Sequence, residues 1–149
     1  MIADYEQLDK ELSEILNLSQ GCVFVLSANK DGRLLEFVYP PRLKGTMVPV
    51  DSRSIVGRTA CNKRFYISNN THAERDFIFL DSIMSRKGDP IQKMITCPVI
   101  FADKVVQVIQ VTRRGVNLSE AGKDFTKEDV EKIKTYVDKL FTLHVVESA

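Results

Sequence analysis

The sequence predicts an α+β protein, a mainly antiparallel sheet with helices on both faces. Residues 94–115 (MITCPVIFADKVVQVIQVTRRG) carry two apolar runs, the second dominated by β-branched residues, joined at Ala102–Asp103–Lys104. Such runs suit a pleated surface better than a helix. The first run is apolar on both side-chain parities, so both faces of this hairpin are covered and it lies near the middle of the sheet. A second pair of runs, Cys22–Ala28 and Arg33–Tyr39, folds back at Asn29–Lys30–Asp31–Gly32, where Asp-Gly signals a tight turn. Hairpins outnumber crossovers, which makes the sheet mainly antiparallel.

The remaining elements follow in order. Asp4 caps a first helix running to about Asn17, with Gln7 as capping-box partner and Tyr5, Leu8, Leu12 and Ile15 on one stripe. Pro40 and Pro41 stop the second strand, since neither donates to a ladder. Residues 42–51 form a loop with one short extended piece at Met47–Val50. Ser52–Ala60 is a short helix capped by Asp51 or Ser52. Phe65–Ser68 is a short strand, Asn69–His72 a turn, and Ala73–Arg86 a helix ended by Gly88–Asp89–Pro90. Strands Met94–Phe101 and Val105–Val111 come next, with Pro98 implying a bulge or an edge. A polar loop, 116–123, leads to a last helix capped by Thr126 with Asp129 as its partner. That helix carries Val130, Ile133, Val137, Leu140 and His144 at heptad-like spacing.

Composition narrows the function classes. A chain of 149 residues is most simply one domain, 1–149, and is long enough to bury a core without disulfides. The 21 basic and 20 acidic side chains leave a net charge of +1, which provides no field to attract nucleic acid or an anionic membrane. No apolar run is long enough to span a bilayer. The N-terminus MIADYEQLDKEL is acidic and amphipathic, unlike a secretory signal. Cys22, Cys61 and Cys97 are odd in number, far apart and form no CxxC pair, which argues for reduced cytoplasmic thiols and against a disulfide scaffold or a zinc site. No Ser/His/Asp set, HExxH, P-loop or GxGxxG is present.

Three stretches resemble the GAF domain family: Ser54–Ala60 (SIVGRTA) followed by Lys63–Ile67 (KRFYI), Cys97–Ile100 (CPVI) ahead of Val105–Val111, and Asp124–Asp129 (DFTKED) opening the last helix. Gly57 suits close packing of a short helix, and Phe125 suits a staple at a helix entry. The sequence departs from the family at Gln107, where glycine is frequent, at the glycine-free connection 102–104, and at Asn69–Asn70, where an acidic residue often follows the strand. These departures bear on ligand type rather than fold. The resemblance implies a PAS-like, six-stranded antiparallel sheet with helices on both faces. It also implies a cap at 52–61 and 69–86 over a small-molecule site, and terminal helices 4–17 and 126–146 packed together on the other face.

The expectation drawn from this resemblance is a cytoplasmic, bacterial-type sensory domain that is not an enzyme. Its pocket is expected to be lined by Phe24, Phe37, Thr59, Phe65, His72, Phe77 and Phe79, although the aromatic residues are equally explained as core. Its partners would be an unidentified small molecule and a second copy or an output domain meeting the terminal helices. No cofactor is named by the residues. For cyclic nucleotides, Asn62–Lys63–Arg64–Phe65 has letters similar to a known signature but elsewhere in the order, and Arg75 is more simply a solvated surface residue. For a tetrapyrrole or haem, Cys61 lacks a histidine neighbour and His72 stands alone in a loop. For a thiol reductase, the family's cysteine arrangement is not reproduced, and Cys61 sits at a helix C-terminus, the wrong end of the dipole. Glu74 and Asp76 fit a solvated helix start. The alternative to a sensor is a ligand-free dimerisation module whose cavity is filled by Phe and Met side chains.

Overall fold

The computed structural model describes residues 4–51, 53–74 and 90–148, with side chains of the last helix described to residue 140. Within these residues there are three α-helices, α1 (Tyr5–Leu16), α2 (Ile55–Asn62) and α3 (Lys127–Ser148). Six strands, β1 (Val23–Ala28), β2 (Leu34–Tyr39), β3 (Met47–Pro49), β4 (Tyr66–Ser68), β5 (Ile91–Phe101) and β6 (Lys104–Arg114), form one sheet. The strand order is β3-β2-β1-β6-β5-β4 and every pairing is antiparallel. This is the α+β, six-stranded antiparallel architecture expected from the sequence.

Strand alternation divides the core into two layers. Val23, Val25, Ile95, Cys97, Val99, Ile109 and Val111 face α1 and α3, where Leu8, Leu12, Leu16, Phe125, Val130, Ile133 and Val137 meet them. The other parity, with Phe24, Leu26, Leu35, Phe37, Met94 and Val108, packs against Ile55, Val56 and Ala60 of α2. Burying a side chain of this size stabilises the fold by about 1.5–3 kcal/mol, and the period-2 pattern gives both layers a share.

The helices end where their caps allow. Asp4 accepts from the Gln7 backbone N–H at 3.1 Å. Gln7 does not close a capping box; its amide donates down the helix to Glu11 at 2.6 Å. Leu16 rather than Ile15 completes the buried stripe with Leu8 and Leu12, and Ile15 is 39% exposed on its rim. At α3 the capping box forms in full: Thr126 N–H donates to Asp129 Oδ2 at 2.9 Å, and Thr126 Oγ1 accepts from Asp129 N–H at 3.3 Å. Phe125 is buried against the same layer as Val130, the arrangement of a hydrophobic staple.

Several expectations are corrected. α2 begins at Ile55, capped by Ser54 Oγ accepting from Gly57 N–H at 2.9 Å. Asp51 is instead taken by Arg53, through its backbone N–H and its guanidinium, both at 2.9 Å. A Cβ on Gly57 would lie 2.4 Å from the Pro49 carbonyl oxygen and 2.7 Å from that of Asp51, so only glycine lets α2 settle on this stretch of backbone. The central hairpin runs past its expected ends, because Ile91–Lys93 and Thr112–Arg114 continue the ladder: Ile91 lies within the α2-side core, and Gln92, Lys93 and Arg113 donate to the carbonyls of Gly115, Gly122 and Asn17. Its connection is two residues, Ala102 and Asp103, at φ +50° and +64°. Of the two alternatives for Pro98, the edge is the one found: Pro98 stays in register opposite Val108, and the nearer of the two irregularities in this pair falls after it, between Val99 and Ile100. Pro98 is tolerated because β4 pairs only with Met94–Thr96, leaving the outer side of β5 open there. Ala73 lies in a 3₁₀ turn, Thr71–Ala73, followed by extended Glu74. The remainder of the helix expected at 73–86 lies outside the described residues.

Candidate functional site

The α2 side of the sheet carries a line of polar groups inside an apolar layer. Phe24 of β1 lies opposite Gln110 of β6, Gln110 opposite Thr96 of β5, and Thr96 opposite Tyr66 of β4. Alternation therefore presents these four side chains together, beneath α2. Gln110 is fully buried and its Nε2 donates to Thr96 Oγ1 at 3.2 Å. Its amide oxygen is buried with no hydrogen-bond partner among the described residues. Two guanidiniums flank the line, Arg58 with Cζ 4.7 Å from the Tyr66 ring centroid and Arg114 with Cζ 5.6 Å from that of Phe24. Tyr66 Oη donates to Glu74 at 3.2 Å. The site thus combines stacked cations, an aromatic floor and one buried acceptor, a combination suited to a small polar molecule.

The residues expected to line a pocket separate. Phe24 and Phe37 are fully buried on this face, in the cluster that α2 covers. Thr59 is buried in α2, but its hydroxyl donates to the Ile55 carbonyl at 2.8 Å and is satisfied within the helix. Phe65 is on the opposite layer, packed against the α1/α3 cluster with Lys134 Nζ 5.0 Å from its ring. It precedes β4, whose side chains alternate, and so cannot share a pocket with Phe24. His72 is exposed on the 3₁₀ turn. Phe77 and Phe79 lie outside the described residues. Sequence reasoning missed Gln110, Thr96, Tyr66, Arg58 and Arg114. The legible signal was the run of Gln110, Thr112 and Arg114 on one parity of an otherwise apolar strand.

Two clefts open away from this line. One, of about 440 Å³, lies between the hairpin tips, with Asn29–Gly32, Ala60, Lys63 and Asp103–Val106 around it. Another, of about 600 Å³, lies between the open side of β5 and α3, lined by Phe65, Cys97–Phe101, Lys134, Val137 and Asp138. Desolvation pushes the Cys97 thiol well above its ordinary value, so it stays protonated beside this cleft. Cys61 is exposed and Cys22 buried. Among the described residues no group of three or more His, Cys, Asp or Glu side chains is placed to hold a metal ion, and no helix is long and apolar enough to cross a membrane.

The other side of the sheet is tied together by polar bonds as well as packing. Gln107, fully buried, donates through Nε2 to Tyr5 Oη and Ser27 Oγ, both at 3.1 Å. A glycine at this position would leave α1 without that anchor. Tyr39 Oη donates to Asp9 at 2.6 Å, and Tyr136 Oη donates to Glu11, which joins α1 to α3. The bond from Tyr136, supported by Gln7, holds the Glu11 carboxyl below its ordinary value. Burial, reinforced by these carboxylates, raises both phenols.

No protein-family model matches this chain, and no curated protein does. Its backbone is similar to solved structures. The second GAF domain of DevS from Mycobacterium smegmatis superposes with a TM-score of 0.65 at 13% identity, covering 95% of this chain and 91% of that one. The GAF domain of the phosphoenolpyruvate-protein phosphotransferase from Acinetobacter gives 0.65 at 13% identity, over 87% of this chain and 73% of that one. A type II free methionine-R-sulfoxide reductase from Thermoplasma acidophilum gives 0.59 at 11% identity, over 89% and 84%. Together with the six-stranded order and the two-layer core, these likenesses establish that the chain has the GAF fold.

Proposed function

We propose that this chain is a sensory domain of signal transduction that binds a small molecule on the α2 side of its sheet and passes the change to α1 and α3. The observation that carries this reading is the Gln110 amide oxygen, fully buried yet without a hydrogen-bond partner among the described residues, on the face shared by Phe24, Phe37 and Thr59. An unsatisfied buried acceptor costs about 1–3 kcal/mol, and a ligand N–H or O–H placed there recovers it. Similar structures include a segment of a methyl-accepting chemotaxis protein and the GAF domain of a phosphoenolpyruvate-protein phosphotransferase, which supports a signalling role. Against the reductase alternative, the Cys97 thiol is buried and the exposed Cys61 lies in the last turn of α2, the end of the helix dipole that disfavours a thiolate.

The second reading is a ligand-free dimerisation module, favoured by Phe24 and Phe37, which fill the layer under α2 as ordinary core. In that case a second copy meets α1 and α3 along the groove of Ile15, Tyr136 and Lys139. Thermal unfolding against a panel of nucleotides, cyclic nucleotides, amino acids, haem and common metabolites separates the two. A ligand at about 100 times its dissociation constant adds about 2.7 kcal/mol, a midpoint shift of roughly 5–10 °C for a domain of this size. A panel without any shift, together with a concentration-dependent midpoint, overturns the sensory reading in favour of the dimer.

A further inference from the structure

Asn69, Lys93 and Arg113 stand side by side across the ends of β4, β5 and β6. Lys93 pairs with Arg113, and Ser68 pairs with Met94, so Asn69, one residue on, is level with Lys93. All three have the parity of Ile67, Ile95 and Val111, the α1/α3 side. Each grips the chain that enters or leaves a terminal helix. Asn69 accepts from Phe125 N–H at 2.7 Å and donates to the Phe125 carbonyl at 3.0 Å. Lys93, with only 6% of its side chain exposed, donates to the Gly122 carbonyl at 2.6 Å and meets Asp124 at 2.8 Å. Arg113 donates to the carbonyls of Leu16 and Asn17, both at 3.0 Å, at the end of α1, and lies over the Phe125 ring at 4.7 Å.

We propose that this row is a latch that makes the start of α3 and the end of α1 respond together to the turn leaving β4. The turn is itself bonded on its other side, since the buried Thr71 hydroxyl donates to the Ile91 carbonyl at 2.8 Å. A displacement at Asn69–Thr71 therefore either carries Phe125 with it or breaks the paired bonds that hold it. Phe125 in turn stacks under the guanidinium that holds α1. Two bonds from one carboxamide to both backbone groups of a single residue fix position and direction, which one bond does not. Asn69 is a positioning residue, acting through Phe125 and Arg113 on an α1 terminus that none of its hydrogen bonds reaches. The latch is the transmission step of the sensor proposed above and takes its meaning from that reading; its geometry stands without it.

Amide hydrogen exchange of the whole chain tests the latch without any ligand. Thr71→Val disturbs the turn. In the otherwise unchanged chain it should speed exchange at Val130 in α3 and at Leu18, whose N–H closes α1 on the Ser13 carbonyl, by about five-fold, the equivalent of one lost hydrogen bond. In an Asn69→Ala background the same substitution should leave both amides unchanged. Asn69→Asp keeps the acceptor for Phe125 N–H and loses the donor, and serves in place of Asn69→Ala should that variant not fold. Equal effects of Thr71→Val with and without Asn69, or no effect at Leu18 in either, overturn the proposal. Because no ligand enters, such a failure leaves the sensory reading standing, and a negative ligand panel leaves the latch standing.

Discussion

Replacing Ala102 by glycine should make the protein more stable, although glycine usually weakens whatever it enters. Ala102 and Asp103 form the two-residue connection between Phe101 and Lys104, both with positive φ, the geometry of a type I′ turn. An L-residue in this region pays about 1–2 kcal/mol. Glycine removes that cost but adds about 0.4–1 kcal/mol of freedom to the unfolded chain. Ala102 is exposed, so its methyl contributes no packing. The net expectation for Ala102→Gly is a gain of about 0.5–1 kcal/mol. Asp103 tolerates the region better, and its carbonyl accepts from Lys63 Nζ at 2.7 Å, so Asp103→Gly should be close to neutral. Ala102→Val should lose at least 1 kcal/mol, since a β-branched residue fits this region worst. Urea unfolding followed by circular dichroism reads all three, with an unchanged m-value as the check that only stability moved. Destabilisation by Ala102→Gly, or a neutral Ala102→Val, refutes the left-handed turn.

The remaining expectations test other contacts. Gly57→Ala drives a methyl into the Pro49 and Asp51 carbonyls and should cost about 1–3 kcal/mol in the same denaturation assay. Gln110→Met keeps the volume, removes an unpaired buried acceptor and also removes the bond to Thr96, so it should change the unfolding free energy by less than about 1 kcal/mol while abolishing any ligand-induced thermal shift. Thr126→Ala removes the α3 cap and should cost about 1 kcal/mol. The Glu11 carboxyl is held below its ordinary value in the folded chain, so its contribution is fully present above the unfolded value of 4.5 and is lost as pH falls further. The stability gap between the parent chain and Tyr136→Phe should therefore narrow below that pH, and a gap that widens there contradicts the bond.

What the sequence disclosed, and what it withheld, follows from the range of each interaction. The two hairpins, the Asp4 and Thr126 caps and the Phe125 staple are local, written within a few residues, and periodicity finds them. Ser54 displaces Asp51 at the α2 cap because Arg53 claims the Asp51 carboxylate, a competition invisible to a cap rule applied one residue at a time. The α3 stripe reads equally as a dimer seam or as sheet cover. Only the placement of Val130, Ile133 and Val137 against β5 and β6 assigns it to the sheet. The candidate site was the least legible part. Its line runs through four strands, Phe24, Gln110, Thr96 and Tyr66, and a register is needed before those positions become neighbours. Phe65 shows the converse error: aromatic character identified it, and parity places it in the wrong layer.

The sheet order has a consequence for how the chain is made. β1 emerges early in synthesis but borders β6 in the finished sheet, so Val23 waits for Val111. Until then the β1–β2 hairpin holds Phe24 and Phe37 against an incomplete surface, and α1 has neither Ile109 nor Ile133 to lie on. A two-stranded hairpin is marginal alone in water, and pairing between distant segments slows folding. The nascent domain therefore remains open through most of its translation and closes only when its last strand leaves the ribosome. An arrest placed before residue 105 should leave a protease-sensitive chain, and the chain released after residue 149 a resistant one.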